Sequence, residues 1–220
     1  MKKLDIIYED KEIIVINKPA KKLTIATTKE QNRTLYHEVR EYIKKQNPKN
    51  KIFIVHRLDK DTSGVILFAK NERIKKLFQD NWDYLCVNRE YQAIVEGKPK
   101  KQKDIIKSYL MESKTLQVFS TNDSKKGKLA ITEYEVLKSN KSYSLLKINI
   151  KTGRKNQIRV HMSDIGCPIV GDKKYNSKTN PLNRLGLHAK SLEIKHPVTK
   201  KIMKFEAHVP KIMTLMFGDE

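Results

Sequence analysis

Val55-His56-Arg57-Leu58-Asp59-Lys60-Asp61-Thr62-Ser63-Gly64-Val65-Ile66-Leu67-Phe68-Ala69-Lys70 joins two kinds of sequence. Its second half is an unbroken apolar run, Val65 to Ala69, which reads as a buried strand bounded by Gly64 and by polar residues. Its first half places two carboxylates, Asp59 and Asp61, among cations and small polar residues. An acid beside an arginine, tethered to a buried strand, is one way to hold a reactive carboxylate still.

Outward from this segment the pattern is uneven. Ile13-Ile14-Val15-Ile16 reads as a short buried strand stopped by Asn17-Lys18-Pro19. Residues 34–46 read as a helix, with Leu35, Val39, Tyr42 and Ile43 on one face and Thr34 or Asn32 as its cap. Asn71 is expected to cap a second helix running to Trp82, with Ile74, Leu77, Phe78 and Trp82 inward. Beyond it the chain turns strand-rich, with β-like stretches at 89–96, 105–111, 115–120, 129–138 and 142–151. A short helix follows Thr152-Gly153, with Ile158, Met162 and Ile165 on its apolar face. A polar loop at 176–184 leads to closing strands at 186–195 and 201–208. Many strands with few, unequally placed helices indicate an α+β fold with a mixed or antiparallel sheet.

Composition narrows the function classes. The 220 residues carry 46 Lys and Arg against 25 Asp and Glu, a net charge of +21, and the excess is concentrated in residues 151–201. Such charge predicts a polyanionic partner, and nucleic acid fits better than a membrane surface because no basic amphipathic helix with a strong apolar face stands out. A lysine-rich proteome would also drift basic, so charge alone does not decide. No apolar run is long enough to span a bilayer, and the acids at positions 5, 9, 10 and 12 argue against a leader peptide. Two cysteines, Cys86 and Cys167, suit neither a disulfide framework nor a metal cluster. A reducing cytoplasm is the expected compartment.

Four clusters carry chemistry: Asn17-Lys18-Pro19-Ala20, His56-Arg57-Leu58-Asp59, Arg89-Glu90-Tyr91, and Thr152-Gly153-Arg154-Lys155-Asn156-Gln157-Ile158-Arg159-Val160-His161. They lack metal-ligand spacing, a phosphate-binding or dinucleotide loop, and a serine or cysteine nucleophile motif. Taken singly, Asp59 reads as a turn acid, Tyr91 as half-buried strand packing and Arg159 as a helix-surface cation.

Together the clusters resemble the RluA family of RNA pseudouridine synthases. The His56-to-Gly64 segment resembles that family's catalytic motif. The Lys151-to-His161, Gly166-to-Tyr175 and Leu187-His188-Ala189 segments resemble its other blocks, in the same order, over residues 5 to 210. The resemblance implies a single catalytic domain over residues 1–220 with the pseudouridine synthase fold: a mixed, mostly antiparallel sheet with flanking helices and loops and a central active-site cleft. It implies an isomerase with no cofactor and no metal, acting as a monomer on uridines of ribosomal or transfer RNA. Asp59 then matches the nucleophilic carboxylate, Tyr91 the tyrosine that stacks on the target base and is implicated in proton transfer, and Arg159 the arginine paired with the catalytic acid. Arg57, His56, Lys18, Arg154, Lys155, His161 and Leu187 are the expected RNA-binding set, Leu187 as an apolar wall. Asp61 falls to the turn, which its side chain is expected to fix with Thr62-Ser63-Gly64 through bonds to backbone.

Three residues depart from the family's pattern. Lys21 stands where glycine is usual, Asn156 where histidine is common, and Asn176 where glycine is usual. The chain begins almost at its first strand, so a short form without an S4-type RNA-binding domain is expected.

The chemistry suits the residues. Pseudouridine formation breaks the N1–C1′ bond of uridine, turns the base and rejoins it through C5. A carboxylate, ionised at neutral pH, stabilises charge at C1′ or bonds to it, as carboxylates do in glycoside hydrolysis. An arginine stays charged and grips a carboxylate with its planar fork. Two rivals remain: a non-catalytic basic RNA-binding or ribosome-assembly protein, and a metal-dependent nuclease built on Asp59 and Asp61, which lacks a third carboxylate.

Overall fold

Strand β4 (Ser63–Ala69) is buried at all seven positions, as expected of an apolar run with no polar alternation. In the computed structural model, which describes residues 4–26 and 34–218, β4 is the middle of one of two compact units. The first unit comprises residues 1–89 and 189–208, the second residues 90–188 and 209–220. The chain therefore changes unit within β5 (Cys86–Glu96) and again within β10 (Leu187–Lys195).

In the first unit the strand order is β1 (Ile6–Glu9), β2 (Ile13–Lys18), β4, β10, with β3 (Phe53–Ile54) on β4 and β11 (Ile202–Glu206) on β10. β2 runs antiparallel to β4, pairing Ile13 with Ala69 and Lys18 with Gly64. One face of these strands packs Ile13, Val15, Val65 and Leu67 with Ile74, Phe78, Leu192 and Phe205. Ile14, Ile16, Ile66 and Phe68 on the alternate face are fully buried as well. Helix α1 (Leu35–Gln46) buries Leu35, Val39 and Ile43, and the Thr34 hydroxyl accepts from the His37 N–H at 3.2 Å as its cap. Asn32, the other expected cap, lies outside the described residues. Tyr42 is half-buried and donates its hydroxyl to Glu9. Asn71 caps α2 (Glu72–Asp80) through the Ile74 N–H.

The second unit is an antiparallel sheet ordered β5, β9 (Tyr143–Ile150), β8 (Lys128–Ser139), β6 (Lys103–Glu112), β7 (Val118–Thr121). Ala93, Val95, Tyr134, Val136, Leu146 and Ile148 form its core with Ile158 and Met162 of α4 (Gln157–Asp164). The resulting architecture is α+β, mostly antiparallel, with few helices, as the sequence predicts.

The expected second helix is interrupted. α2 stops at Asp80 and a single turn, α3 (Trp82–Leu85), follows, because Asn81 leaves helical geometry and donates its amide to the Leu77 carbonyl. β7 begins three residues later than expected because Leu116 takes a left-handed conformation in the preceding turn. β1, β3 and the short α5 (Lys211–Thr214) were not expected.

The three departures from the family pattern share one backbone property. Lys21 (φ 63°), Asn156 (φ 54°) and Asn176 (φ 69°) are all left-handed. Asparagine tolerates that region, whereas at Lys21 the Cβ clash costs about 1 kcal/mol or more. Two of these positions therefore keep the conformation that a glycine would take without strain.

Candidate active site

Asp59 begins a tight turn. The Thr62 N–H donates to its backbone carbonyl at 3.2 Å, which fixes the direction in which the chain enters β4. Leu58 and Thr62 are buried on either side, while Asp59 itself is half-buried. The Thr24 hydroxyl donates to the Leu58 carbonyl at 2.9 Å. The Lys18 side chain has no exposed surface, and its ammonium donates to the carbonyls of Pro19 (3.0 Å), Lys22 (2.8 Å) and Lys60 (3.0 Å). A lysine buried this way needs such acceptors to offset its desolvation, and here they join the loop after β2 to the residue that follows Asp59.

His56 leads into the same turn from the other side. Phe53 and Ile54 pair with Ala69 and Phe68, and then the His56 Nε2 accepts from the Leu67 N–H at 3.0 Å. The ring thus continues the pairing that β3 starts. Its partners require a neutral imidazole, and burial, reinforced by Arg89, pushes its pKa down to about 3. Arg57 is exposed beside it.

In the second unit Tyr91 lies on β5 opposite Ile148 and packs, half-buried, against the core that contains Leu187. The Thr152-to-His161 segment is tied down by Gln157. Its Oε1 accepts from the Thr152 hydroxyl (2.7 Å) and the Arg154 N–H (3.0 Å), and its Nε2 donates to the Ile131 carbonyl and the Thr132 hydroxyl, both at 3.0 Å. Arg159, in the first turn of α4, meets Asp172. Its Nε and Nη2 each lie 2.7 Å from one carboxylate oxygen, the bidentate geometry that orients a guanidinium best. Arg154 and Lys155 are exposed, the first donating to the Leu129 carbonyl and the second paired with Glu112.

His161 is fully buried between two hydroxyls, Nδ1 at 2.9 Å from Thr132 and Nε2 at 2.9 Å from Ser108. Burial pushes its pKa from 6.5 down to about 4, against a weaker upward pull from Asp164. Between those values the unfolded chain takes up a proton that the folded one refuses. Stability is therefore lost as pH falls through that window, by on the order of 3 kcal/mol from this residue. A His161→Gln variant should lose correspondingly less stability between pH 6.5 and pH 4.5 in denaturant melts. Equal losses in the two proteins would refute the assignment.

Several expectations need correction. Lys18 and His161, expected among the RNA contacts, are fully buried, with their side-chain nitrogens bonded to backbone carbonyls and to the Thr132 and Ser108 hydroxyls, respectively. The bond that closes the Asp59 turn comes from the backbone, while the Asp61 side chain is exposed. Asp172 was missed as the partner of the Arg159 fork. The available signal was its isolation, since it is the lone acid between Asp164 and Glu193 in a basic stretch. Asp59 belongs to the first unit, Tyr91 and Arg159 to the second. Among the described residues no group of three His, Cys, Asp or Glu side chains is placed to hold a metal ion, and no helix is long and apolar enough to cross a membrane.

Comparison with known proteins agrees with the resemblance read from the sequence. A family model described as RNA pseudouridylate synthase matches residues 12–164. Ribosomal large subunit pseudouridine synthase C of Rickettsia typhi is 38% identical over 95% of this chain and 69% of its own length. A Bacillus subtilis relative named uncharacterized RNA pseudouridine synthase YhcT is 34% identical over 96% of this chain and 70% of its own. Among solved structures, human RNA pseudouridylate synthase domain containing 4 superimposes with a TM-score of 0.75 at 24% identity, covering 95% of this chain and 90% of that one. At that identity the likeness speaks for the fold.

Proposed function

The chain belongs to the RNA pseudouridylate synthase family, isomerases that act on RNA, and from that premise we propose that Asp59 is its nucleophilic carboxylate. The observation that carries this reading is the Asp59 turn. Its backbone is closed by the Thr62 N–H and its next residue is anchored by the buried Lys18 ammonium, while Asp59 as a whole residue stays half-buried rather than sealed. A nucleophile must be held in place and yet be reachable.

In this reading a uridine is extruded from its stack at a cost of a few kcal/mol. Tyr91 receives the uracil on its ring, a contact worth roughly 1–3 kcal/mol. Asp59 supports C1′ as the N1–C1′ bond breaks, the base turns, and C5 bonds to C1′. The C5 proton then leaves and N1 gains one, so no atom is added and no cofactor or metal is required. Arg159 is read as the arginine that favours the ionised form of the catalytic acid. Arg57, Arg154 and Lys155 are exposed cations suited to phosphate contacts, which position RNA without reading its sequence. His56 orients the turn, and Leu187 supports the wall against which Tyr91 packs. Residues 1–220 are read as one catalytic domain that works as a monomer in the cytoplasm.

Ribosomal RNA is the proposed substrate. The support is that relatives from Rickettsia typhi and Zymomonas mobilis carry the names ribosomal large subunit pseudouridine synthase C and D. Mapping pseudouridines in total RNA from cells with and without this gene tests it. Loss of a site in ribosomal RNA is expected, and loss confined to transfer RNA would overturn it. Tyr91→Phe should bind RNA like the wild type yet turn over more slowly, and equal rates would remove any chemical role for the hydroxyl.

A further inference from the structure

The fixing of Arg159 uses more groups than an ion pair requires. Asp172 is 2% exposed and takes Nε and Nη2 side-on at 2.7 Å each, which sets both the plane and the rotation of the guanidinium. Nη1 donates to the Asn156 Oδ1 at 3.2 Å. The guanidinium carbon lies 4.9 Å from the centre of the Tyr175 ring, within the range of a cation–π contact. The Asn156 Nδ2 in turn donates to the Tyr175 hydroxyl at 2.9 Å, so Asn156 ties the two partners of Arg159 together.

Asn156 occupies the N-cap position of α4, yet its side chain caps nothing. A cap residue normally spends its side-chain oxygen on the first N–H groups of the helix. This one is left-handed and turns its amide to Arg159 and Tyr175 instead. Gly171, also left-handed at φ 76°, brings the chain so close to Arg184 that a Cβ there would lie 2.4 Å from the Arg184 carbonyl oxygen, and this tight passage delivers Asp172. A buried ion pair contributes little to stability compared with apolar packing of the same volume. The three-sided hold is therefore better explained by what Arg159 has to do.

We infer that Asp172 and Asn156 are positioning residues that fix the Arg159 guanidinium for the reaction. This rests on the reading of Arg159 as the partner of the catalytic acid. Neither residue needs to touch RNA. Both act through the orientation of Arg159, and an error of about 1 Å in a group of this kind lowers turnover on the order of 100-fold.

The test is steady-state tritium release from RNA labelled at uridine C5, with kcat and KM separated, on four proteins: Arg159→Met, Asp172→Asn, Asn156→Gly, and the Arg159→Met/Asp172→Asn double variant. Asn156→Gly removes both side-chain bonds while relieving the left-handed backbone, so it answers the question even where Asp172→Asn fails to fold. The expected result is a kcat lowered roughly 10- to 100-fold by Asp172→Asn and roughly 10-fold by Asn156→Gly, with KM for RNA within about 2-fold of wild type. In the Arg159→Met background Asp172→Asn should add nothing further. Wild-type kcat in Asn156→Gly and in folded Asp172→Asn, beside a slow Arg159→Met, overturns the positioning role and leaves the reading of Arg159 standing. A rise in KM at constant kcat, or additive losses in the double variant, also overturns the positioning role. Wild-type kcat in Arg159→Met overturns both.

Discussion

Asp59→Asn is expected to lower turnover by more than about 1,000-fold, a loss of about 4 kcal/mol of transition-state stabilisation, while RNA affinity and melting temperature stay near wild-type values. The amide is nearly the same size as the carboxylate but carries no charge and is a poor nucleophile at C1′. The turn has a backbone closure of its own. It is closed by the Thr62 N–H on the Asp59 backbone carbonyl, and its neighbour Lys60 is anchored by the Lys18 ammonium. The variant therefore separates chemistry from folding. Turnover within 10-fold of wild type in a folded Asp59→Asn protein would remove Asp59 from the reaction.

Gly64→Ala is the substitution expected to damage the fold most. Gly64 has φ +113°, and a Cβ built on it would lie 2.1 Å from the carbonyl oxygen of Ala189 and 2.7 Å from that residue's carbonyl carbon and nitrogen. All three obstacles are backbone in strand β10 and cannot swing aside as a side chain would. Backbone strain and overpacking together should cost on the order of 4 kcal/mol. For a chain of this size that lowers the melting temperature by roughly 10 °C. Gly64 lies five residues from Asp59, so activity should fall with the folded fraction. A Gly64→Ala protein melting within about 2 °C of wild type would contradict the close approach of β4 and β10.

What the sequence made legible is mostly local. β4 showed itself as an apolar run, and Thr34 and Asn71 as caps, because a cap and its target N–H lie three residues apart. β1 escaped notice because its four residues are only half-buried and lack a clear alternation. The stop at Asn81 escaped because Trp82 and Leu85 continue the apolar spacing of α2 past the break. In the site, the order of the blocks singled out Asp59, Tyr91 and Arg159 through resemblance. The state of Lys18 was hidden, since a lysine in a basic chain reads as surface. Its burial depends on three carbonyls converging, one of them 42 residues away. The Asp172 fork was hidden for the same reason, because a partner 13 residues beyond Arg159 is supplied by the path of the chain after Gly171 and not by any spacing within the helix. The left-handed positions fall between these cases. Lys21 and Asn176 stood out as departures at glycine positions, but that their backbones keep the glycine conformation appears only in the structure.

Isomerisation of uridine in RNA by this chain is checked by incubating the purified protein, without added cofactor and with EDTA present, with total RNA that carries tritium at uridine C5 and comes from cells lacking this gene. Release of tritium to solvent with matching formation of pseudouridine is expected, and neither with Asp59→Asn. RNA bound tightly by the wild-type protein with no tritium released would contradict it and favour a protein that binds RNA without acting on it.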